Sequence, residues 1–302
     1  MYDTVQAEAP STAGTAENVE PPSIKLKQLT RHIGAELLDV HLPDITRDDA
    51  LFAEMRSLLL KHKVLFLRDQ DITRAEHVAF ARRFGSLEDS HPNTDADSGV
   101  VLLYKDEDSA GHYENAYHSD TSWRENPSMG SVLRCVETPE VGGDTIWVDM
   151  VEAYRELPDH VKEKIEVLRA RHSFEAVFGA ARPADERHEL KARFPDAEHP
   201  VVRTHPETGE KILFVNVFAT HFTNFHTPEH VRYGADYSPG AGDLLTYLKS
   251  RAAIPEYQVR WTWTKNSIAI WDNRSTQHYA VQDYWPAVRK MERATVAGNR
   301  PF

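Results

Sequence analysis

Two short motifs, separated by about half the chain, constrain the fold more than any other feature of this sequence. The first, Tyr117-His118-Ser119-Asp120, places an imidazole and a carboxylate two residues apart. The second runs from Trp271 to Ala280 and contains His278. Two histidines and one carboxylate can bind one face of an octahedral metal ion and leave its other positions open. If these motifs form one site, the fold must bring distant segments together.

The pattern of apolar residues predicts a mainly β protein with flanking helices. Short alternating or apolar runs predict strands, and apolar residues at helical spacing predict helices over 50–62 and from Thr73 onwards. The further strand candidates are 24–29, 64–67, 100–104, 131–136, 145–148, 201–204, 212–217, 258–264 and 267–271, and the further helix candidates are 150–156, 161–168 and 241–250. Many short strands with few helices favour an antiparallel sandwich or jelly roll.

The chain reads as one domain preceded by an arm. Residues 1–22 are rich in Ala, Glu, Thr, Pro and Ser with few large apolar residues, which predicts a flexible N-terminal arm. We find no repeat or linker within 23–302. The stretches 168–200 and 224–240 are polar and interrupted by Pro or Gly, so we expect long loops there that are candidate lids.

Composition excludes several classes of partner. The 302 residues include 35 Lys and Arg against 47 Asp and Glu, a formal net charge of −12, whereas nucleic-acid binding needs a basic surface. No run of about 18 apolar residues is present, so no membrane span is expected. With no secretory signal pattern and one cysteine, Cys135, in a predicted buried strand, we expect a cytoplasmic protein. A small anionic substrate remains compatible if positive charge is concentrated in a pocket.

Two arginines and a threonine are candidates for binding an anion in such a pocket. Arg289 and Arg293 follow the second motif, and an arginine can clamp a carboxylate through two hydrogen bonds. A 2-oxo dicarboxylate that chelates a metal needs such a clamp at its distal end, and Thr145 could complete it. The four-residue spacing of the two arginines is equally typical of a solvated helix face.

Together these motifs resemble the taurine dioxygenase (TauD/TfdA) family of Fe(II)/2-oxoglutarate-dependent dioxygenases. The resemblance covers about 24–302, nearly all of the predicted domain. The matching stretches are VLFLRDQ at 64–70, FG at 84–85, YHSD at 117–120, GGDT at 142–145, HPVVRTHP at 199–206, and the block 271–293, in which the intervals from His278 to Arg289 and Arg293 both fit. The resemblance implies a double-stranded β-helix, which is a jelly roll with flanking helices.

The resemblance also implies roles for the reaction. His118, Asp120 and His278 would bind Fe(II), while Thr145 and Arg289 would bind the C5 carboxylate of 2-oxoglutarate. The enzyme would consume O₂ and release succinate and CO₂. Because Asp120 retains the carboxylate that related halogenases replace with a small residue, hydroxylation is favoured over halogenation.

Substrate contacts are implied at five positions. Arg293 would face the substrate's anionic group, and His91 stands where the family often has a second anion-binding residue. Phe178 and Phe218 fall near positions that line the substrate pocket, although aromatic residues there are equally expected in a core. Asn115 lies near the position of an asparagine that contacts the taurine amine.

Three departures from the taurine enzymes argue against taurine itself. Thr94 replaces a tyrosine, Tyr117 replaces the usual Trp before the first ligand, and the stretch 225–240 looks longer. A sulfonate, a sulfate ester or a carboxylate remains compatible.

Alternatives to hydroxylation also remain. The same site could desaturate, epoxidise or cyclise a biosynthetic intermediate, and the product mass would distinguish these outcomes. A non-catalytic jelly-roll binding module has no need for the metal ligands and the clamp together. A zinc hydrolase fits the ligands but lacks a dedicated general base. Because dimers and tetramers are common in the family, a homo-oligomer is expected.

Overall fold

The computed structural model describes residues 24–88, 100–105, 115–225, 231–232, 235–236 and 239–302, and these form seventeen strands and eight α-helices. The strands are β1 (Lys25–Gln28), β2 (Ala35–Leu38), β3 (Val64–Leu67), β4 (Val101–Lys105), β5 (Gly130–Glu137), β6 (Thr145–Asp149), β7 (Arg169–His172), β8 (Ala197–Pro200), β9 (Val202–Thr204), β10 (Lys211–Leu213), β11 (Ala219–Phe222), β12 (Val231–Arg232), β13 (Ala235–Asp236), β14 (Gln258–Trp261), β15 (Ile268–Asp272), β16 (Thr276–Ala280) and β17 (Arg289–Val296). The helices are α1 (Leu42–Arg47), α2 (Asp49–His62), α3 (Arg74–Arg82), α4 (Met150–Arg155), α5 (Asp159–Ile165), α6 (Phe174–Phe178), α7 (Ala184–Arg193) and α8 (Ala241–Ser250).

Two sheets enclose the central core. The larger has seven strands in the order β1-β2-β3-β15-β5-β17-β4, and the smaller has the order β14-β6-β16. Trp147 of β6 packs edge-on against Phe66 of β3, with ring centroids 5.3 Å apart, and lies 5.7 Å from the ring of Trp271 on β15. The two sheets therefore share one apolar interior, as predicted for a mainly β, jelly-roll chain.

Helices α1 to α3 cover the outer face of the seven-stranded sheet. Asp48 caps α2 by accepting hydrogen bonds from the Ala50 and Leu51 amides, and Thr73 with Glu76 forms a capping box at the start of α3. The buried sides of these helices contribute Met55 and Phe80 to a core shared with the sheet. This face is closed, so the site lies on the inner side of the sheet.

The region 168–200 differs from its prediction as a long loop, because it contains β7, α6, α7 and β8. Strands β7 and β8 pair antiparallel, and their buried positions alternate along each strand. Those positions are Ala170, His172, Ala197 and His199. Since two of the four are histidines, the period of two was hidden in the polar sequence.

Other predicted elements are present with shifts at their ends, the largest for the strand predicted over 212–217, of which β10 covers only the first two residues. The predicted arm at 1–22 and most of the candidate lid at 224–240 lie outside the described residues. No helix in the part of the chain that the structure describes is long and apolar enough to cross a membrane.

Candidate active site

A pair of backbone hydrogen bonds brings the two distant histidines together. The His118 amide donates to the His278 carbonyl at 3.0 Å, and the His278 amide donates to the His118 carbonyl at 2.8 Å. This isolated antiparallel bridge joins two residues that are separated by about half the chain. In β16, His278 is paired with Trp147 of β6, so the neighbouring strand fixes its position. The fold therefore joins the two motifs as the sequence required.

The side chain of Asn273 holds Asp120 in place. Its Oδ1 accepts from the Asp120 amide at 2.7 Å, and its Nδ2 donates to the Asp120 carbonyl at 2.9 Å. The same Nδ2 donates to the Ser128 carbonyl at 3.0 Å. Asn273 is itself buried. It ties the second motif directly to the first.

The side chains of His118, Asp120 and His278 fit a metal ion. Their nearest ligand atoms all lie within 4.8 Å of one another. Asp120 Oδ1 is 3.8 Å from His118 Nε2 and 3.9 Å from His278 Nε2, distances too long for hydrogen bonds. These three atoms could therefore be the ligands of one ion at the centre of the site.

The protonation of the histidines suits metal binding. His118 Nδ1 lies 2.7 Å from the Ala116 carbonyl, which can only accept, so Nδ1 carries a hydrogen and Nε2 is the ring nitrogen that faces Asp120. Burial, reinforced by His118, lowers the pKa of His278 to about 3, so this imidazole is neutral. Two imidazoles and one carboxylate form the facial donor set of non-haem iron sites.

Arg293 contacts the carboxylate of Asp120, one of the three candidate metal ligands. Its Nη1 donates to both Asp120 oxygens, at 2.9 and 3.0 Å, and its side chain is buried. The sequence predicted a contact between Arg293 and the substrate anion. Its Nε is buried and has no hydrogen-bond partner among the residues described.

Arg289 and Thr145 meet as predicted for a carboxylate clamp. Arg289 Nη2 lies 3.3 Å from Thr145 Oγ1, and Arg289 Nε donates to the Gly143 carbonyl at 3.1 Å. Gly143 has a φ of +72°, which favours glycine, and its amide donates to Asp283 at 2.8 Å. The GGDT turn thus orients the guanidinium.

The helical interpretation of Arg289 and Arg293 is wrong, because both residues lie in β17. Residues four apart on a strand are on the same face, as they nearly are on a helix, so the spacing did not distinguish the two. The inner face of this strand also carries Met291, which is fully buried in the core between the sheets.

Trp263 is a site residue that sequence reasoning missed. Its indole Nε1 donates to Thr145 Oγ1 at 3.0 Å, and both side chains are buried. Nothing in the local sequence links this tryptophan, which follows β14, with a threonine in β6. Only the antiparallel register of the two strands, which pairs Trp261 with Thr145, places them together.

A set of aromatic rings, which we call the aromatic wall, begins beside His118. The Phe218 ring stands edge-on to His118 with centroids 6.4 Å apart. Phe178 is 5.9 Å from Phe218 and 4.4 Å from Phe174, on which it stacks. Trp123 contacts Phe174 and completes the wall. Phe178 and Phe218 are therefore placed together near the metal ligands.

Two predicted substrate residues are not placed with this wall. Asn115 is exposed, and no described contact joins it to the site. His91 and Thr94 lie outside the described residues. Cys135 is buried on β5, and burial raises the pKa of its thiol to about 11, which confirms a core residue rather than a nucleophile.

Comparisons with known proteins agree on one family. The sequence model described as "Taurine catabolism dioxygenase TauD, TfdA family" matches residues 25–295. An alkylsulfatase of Acinetobacter baylyi is 35% identical over 91% of this chain and 86% of its own. An alpha-ketoglutarate-dependent sulfate ester dioxygenase of Pseudomonas putida is 32% identical over 96% of this chain and 95% of its own. The crystal structure of a taurine dioxygenase from Burkholderia xenovorans superimposes with a TM-score of 0.75 at 34% identity, covering 93% of both chains.

Proposed function

Because the chain belongs to the TauD/TfdA family of taurine catabolism dioxygenases, we propose that it oxidises an organic sulfate ester at the carbon bearing the ester oxygen. The family sets the enzyme class: this is an Fe(II)- and 2-oxoglutarate-dependent dioxygenase that hydroxylates a small anionic molecule and uses O₂. The relatives give no support to a non-catalytic module or a zinc hydrolase.

The observation that carries the proposed substrate is the aromatic wall beside His118. Phe218 and Phe178 belong to an apolar cluster with Phe174 and Trp123 that reaches the metal ligand His118. An alkyl or aryl group gains free energy by leaving water for contact with such a cluster, whereas desolvating taurine's ammonium group without a charged partner costs free energy. The names of the Acinetobacter and Pseudomonas relatives support the same class of substrate.

The proposed roles divide the site into two parts. His118, Asp120 and His278 would hold Fe(II), which supplies the oxidising chemistry together with 2-oxoglutarate and O₂. Thr145 and Arg289 would hold the distal carboxylate of 2-oxoglutarate, the arginine by charge and the threonine by a directed hydrogen bond.

The sulfate group needs a cation within the same pocket. We assign this role to Arg293, a buried guanidinium beside the metal ligands that donates to Asp120 through Nη1. Because Arg293 is hydrogen-bonded to the metal ligand Asp120, a sulfate bound to Arg293 would lie close to the metal. The carbon that bears the ester oxygen would then be the substrate carbon nearest to the oxidant. His91 stays a predicted second contact for the anion.

The proposed reaction balances without a further reductant. Hydroxylation converts the CH₂ group that bears the ester oxygen into a carbon bearing both OH and sulfate. The carbon–oxygen bond to sulfate then breaks, sulfate leaves with the bonding pair, and the hydroxyl loses its proton as the carbonyl forms. The products are an aldehyde, sulfate, succinate and CO₂, at one O₂ and one 2-oxoglutarate per ester.

The test is substrate-dependent succinate formation. Protein is reconstituted anaerobically with Fe(II), 2-oxoglutarate and ascorbate, then exposed to O₂ with an alkyl sulfate, the alkylsulfonate of equal chain length, an aryloxy carboxylate or taurine. We expect the alkyl sulfate to give the highest rate. A higher rate with the alkylsulfonate, the aryloxy carboxylate or taurine would contradict the proposed substrate.

Location and assembly stay predictions. We propose a cytoplasmic enzyme that forms a dimer or tetramer and binds neither nucleic acid nor membranes. Sedimentation velocity on the purified chain would measure the assembly directly.

A further inference from the structure

Four tryptophans lie in the core between the sheets, and one differs from the others. Trp147, Trp261, Trp263 and Trp271 are all buried in a single apolar cluster. The indole nitrogens of Trp147, Trp261 and Trp271 have no hydrogen-bond partner among the residues described. Trp263 alone of these four donates, to Thr145 Oγ1 at 3.0 Å. Of these four indoles, only that of Trp263 contacts a residue of the candidate site.

Two donors converge on the Thr145 hydroxyl. Besides Trp263 Nε1, the guanidinium of Arg289 lies 3.3 Å from the same oxygen. A hydroxyl oxygen accepts through two lone pairs and donates one hydrogen. With both lone pairs occupied by groups that can only donate, the hydrogen must point away from Trp263 and Arg289.

We infer that Trp263 is a positioning residue for the cosubstrate, because it fixes the Thr145 hydroxyl as a donor toward the distal carboxylate of 2-oxoglutarate. This inference rests on the proposed role of Thr145 and Arg289 as the carboxylate clamp. Without the indole, a lone pair of the hydroxyl is free and its hydrogen can turn to another acceptor. The clamp would then keep its charge but lose its directed hydrogen bond.

The consequence is a defined change in cosubstrate selectivity. A 2-oxo acid without a distal carboxylate, such as 2-oxobutyrate, cannot use the clamp. Loss of the indole donor should therefore weaken 2-oxoglutarate binding by about tenfold to a hundredfold, the effect of one hydrogen bond to a charged group, and leave 2-oxobutyrate binding unchanged. A purely structural role would weaken both ligands.

The experiment measures binding rather than turnover. Mn(II)-loaded protein is titrated calorimetrically with 2-oxoglutarate and with 2-oxobutyrate, for wild type, Trp263→Phe and Trp261→Phe. Trp261→Phe is the matched control, because it removes the same ring atoms from the same cluster but no hydrogen bond. Trp263→Met, with a flexible side chain that lacks a donor, is a second variant should the phenylalanine not fold.

Selective loss of 2-oxoglutarate affinity in the Trp263 variant, with Trp261→Phe near wild type, is the expected result. Equal weakening of both ligands, or the same loss in Trp261→Phe, would overturn the inference. Thr145→Val and Arg289→Gln test the carboxylate clamp separately from the positioning role of Trp263. If they lose 2-oxoglutarate affinity and Trp263→Phe does not, only the role of Trp263 is wrong. If they retain it, the clamp assignment fails as well.

Discussion

The metal-binding end of the site and its aromatic wall are built in different ways. At the metal end, the His118 and His278 backbones pair directly and the Asn273 amide holds Asp120 on two sides. The wall is held by ring contacts, and two of its four rings, Phe174 and Phe178, lie in α6, which has only five residues. Directed hydrogen bonds fix geometry closely, whereas apolar packing tolerates changes of side chain. The reaction chemistry and the choice of substrate can therefore be altered separately.

The largest effect should follow removal of the metal carboxylate. Asp120→Ala deletes one of three ligands and leaves the buried Arg293 without its anion, so we expect no bound iron, no succinate and a loss of about 3–5 kcal/mol in stability. Asp159→Ala, at a highly exposed carboxylate, is the control. Iron content after anaerobic reconstitution measures the effect, and full iron binding by Asp120→Ala would place the metal elsewhere.

Removal of the amide that holds Asp120 should give the next largest effect. Asn273→Leu removes the acceptor of the buried Asp120 amide and the nearer donor of its carbonyl, which keeps only the Ser128 hydroxyl at 3.4 Å, at a cost of about 2–5 kcal/mol in the free energy of unfolding. Iron affinity should fall with it. Urea unfolding measures the loss.

Asn224 offers a matched control for Asn273. Its side chain also bridges two backbone groups, the Arg169 amide and the Val167 carbonyl, but it is exposed to solvent. Water can replace its bonds, so Asn224→Ala should cost less than about 1 kcal/mol. Equal losses in the two variants would show that the contact with Asp120 has no special importance.

A change in the aromatic wall should alter substrate preference alone. Phe178→Ala removes an apolar ring beside Phe218, so KM for a long-chain alkyl sulfate should rise by about fivefold to twentyfold. KM for a short-chain ester, and binding of Mn(II) and 2-oxoglutarate, should not change. Phe302→Ala, at an exposed ring, is the control. A parallel loss of 2-oxoglutarate binding in Phe178→Ala would mean that wall and metal end are not separable.

The smallest effect is expected at Cys135, which belongs to neither region. Burial raises the pKa of its thiol to about 11, so the reactive thiolate is scarce at neutral pH. A thiol reagent should label the unfolded chain and not the native enzyme, and Cys135→Ala should retain turnover. Rapid labelling of native protein with loss of turnover would contradict this placement.

The same contrast explains what the sequence could predict. His118, Asp120 and His278 were identifiable because the residue types themselves carry the chemistry and the motifs are local. Asn273 and Trp263 were not, because an amide or an indole acquires a role only from the partner that the topology brings to it.

The prediction of secondary structure was wrong at two places for a related reason. A four-residue interval puts Arg289 and Arg293 on one face of a strand or of a helix, and only the pairing of β17 with β4 and β5 decides between them. In β7 and β8, the core positions are taken partly by His172 and His199, which hid the alternation that marks a strand. Most strands with apolar inner faces were predicted.

The carbon product of alkyl sulfate turnover tests the central claim most directly. Aldehyde, sulfate and succinate are quantified in one aerobic reaction of the Fe(II)-loaded enzyme, with an O₂-free reaction alongside. Oxidation at the ester carbon predicts equal amounts of all three products and none without O₂. The parent alcohol and sulfate, formed without O₂ and without succinate, would show hydrolysis and contradict the account.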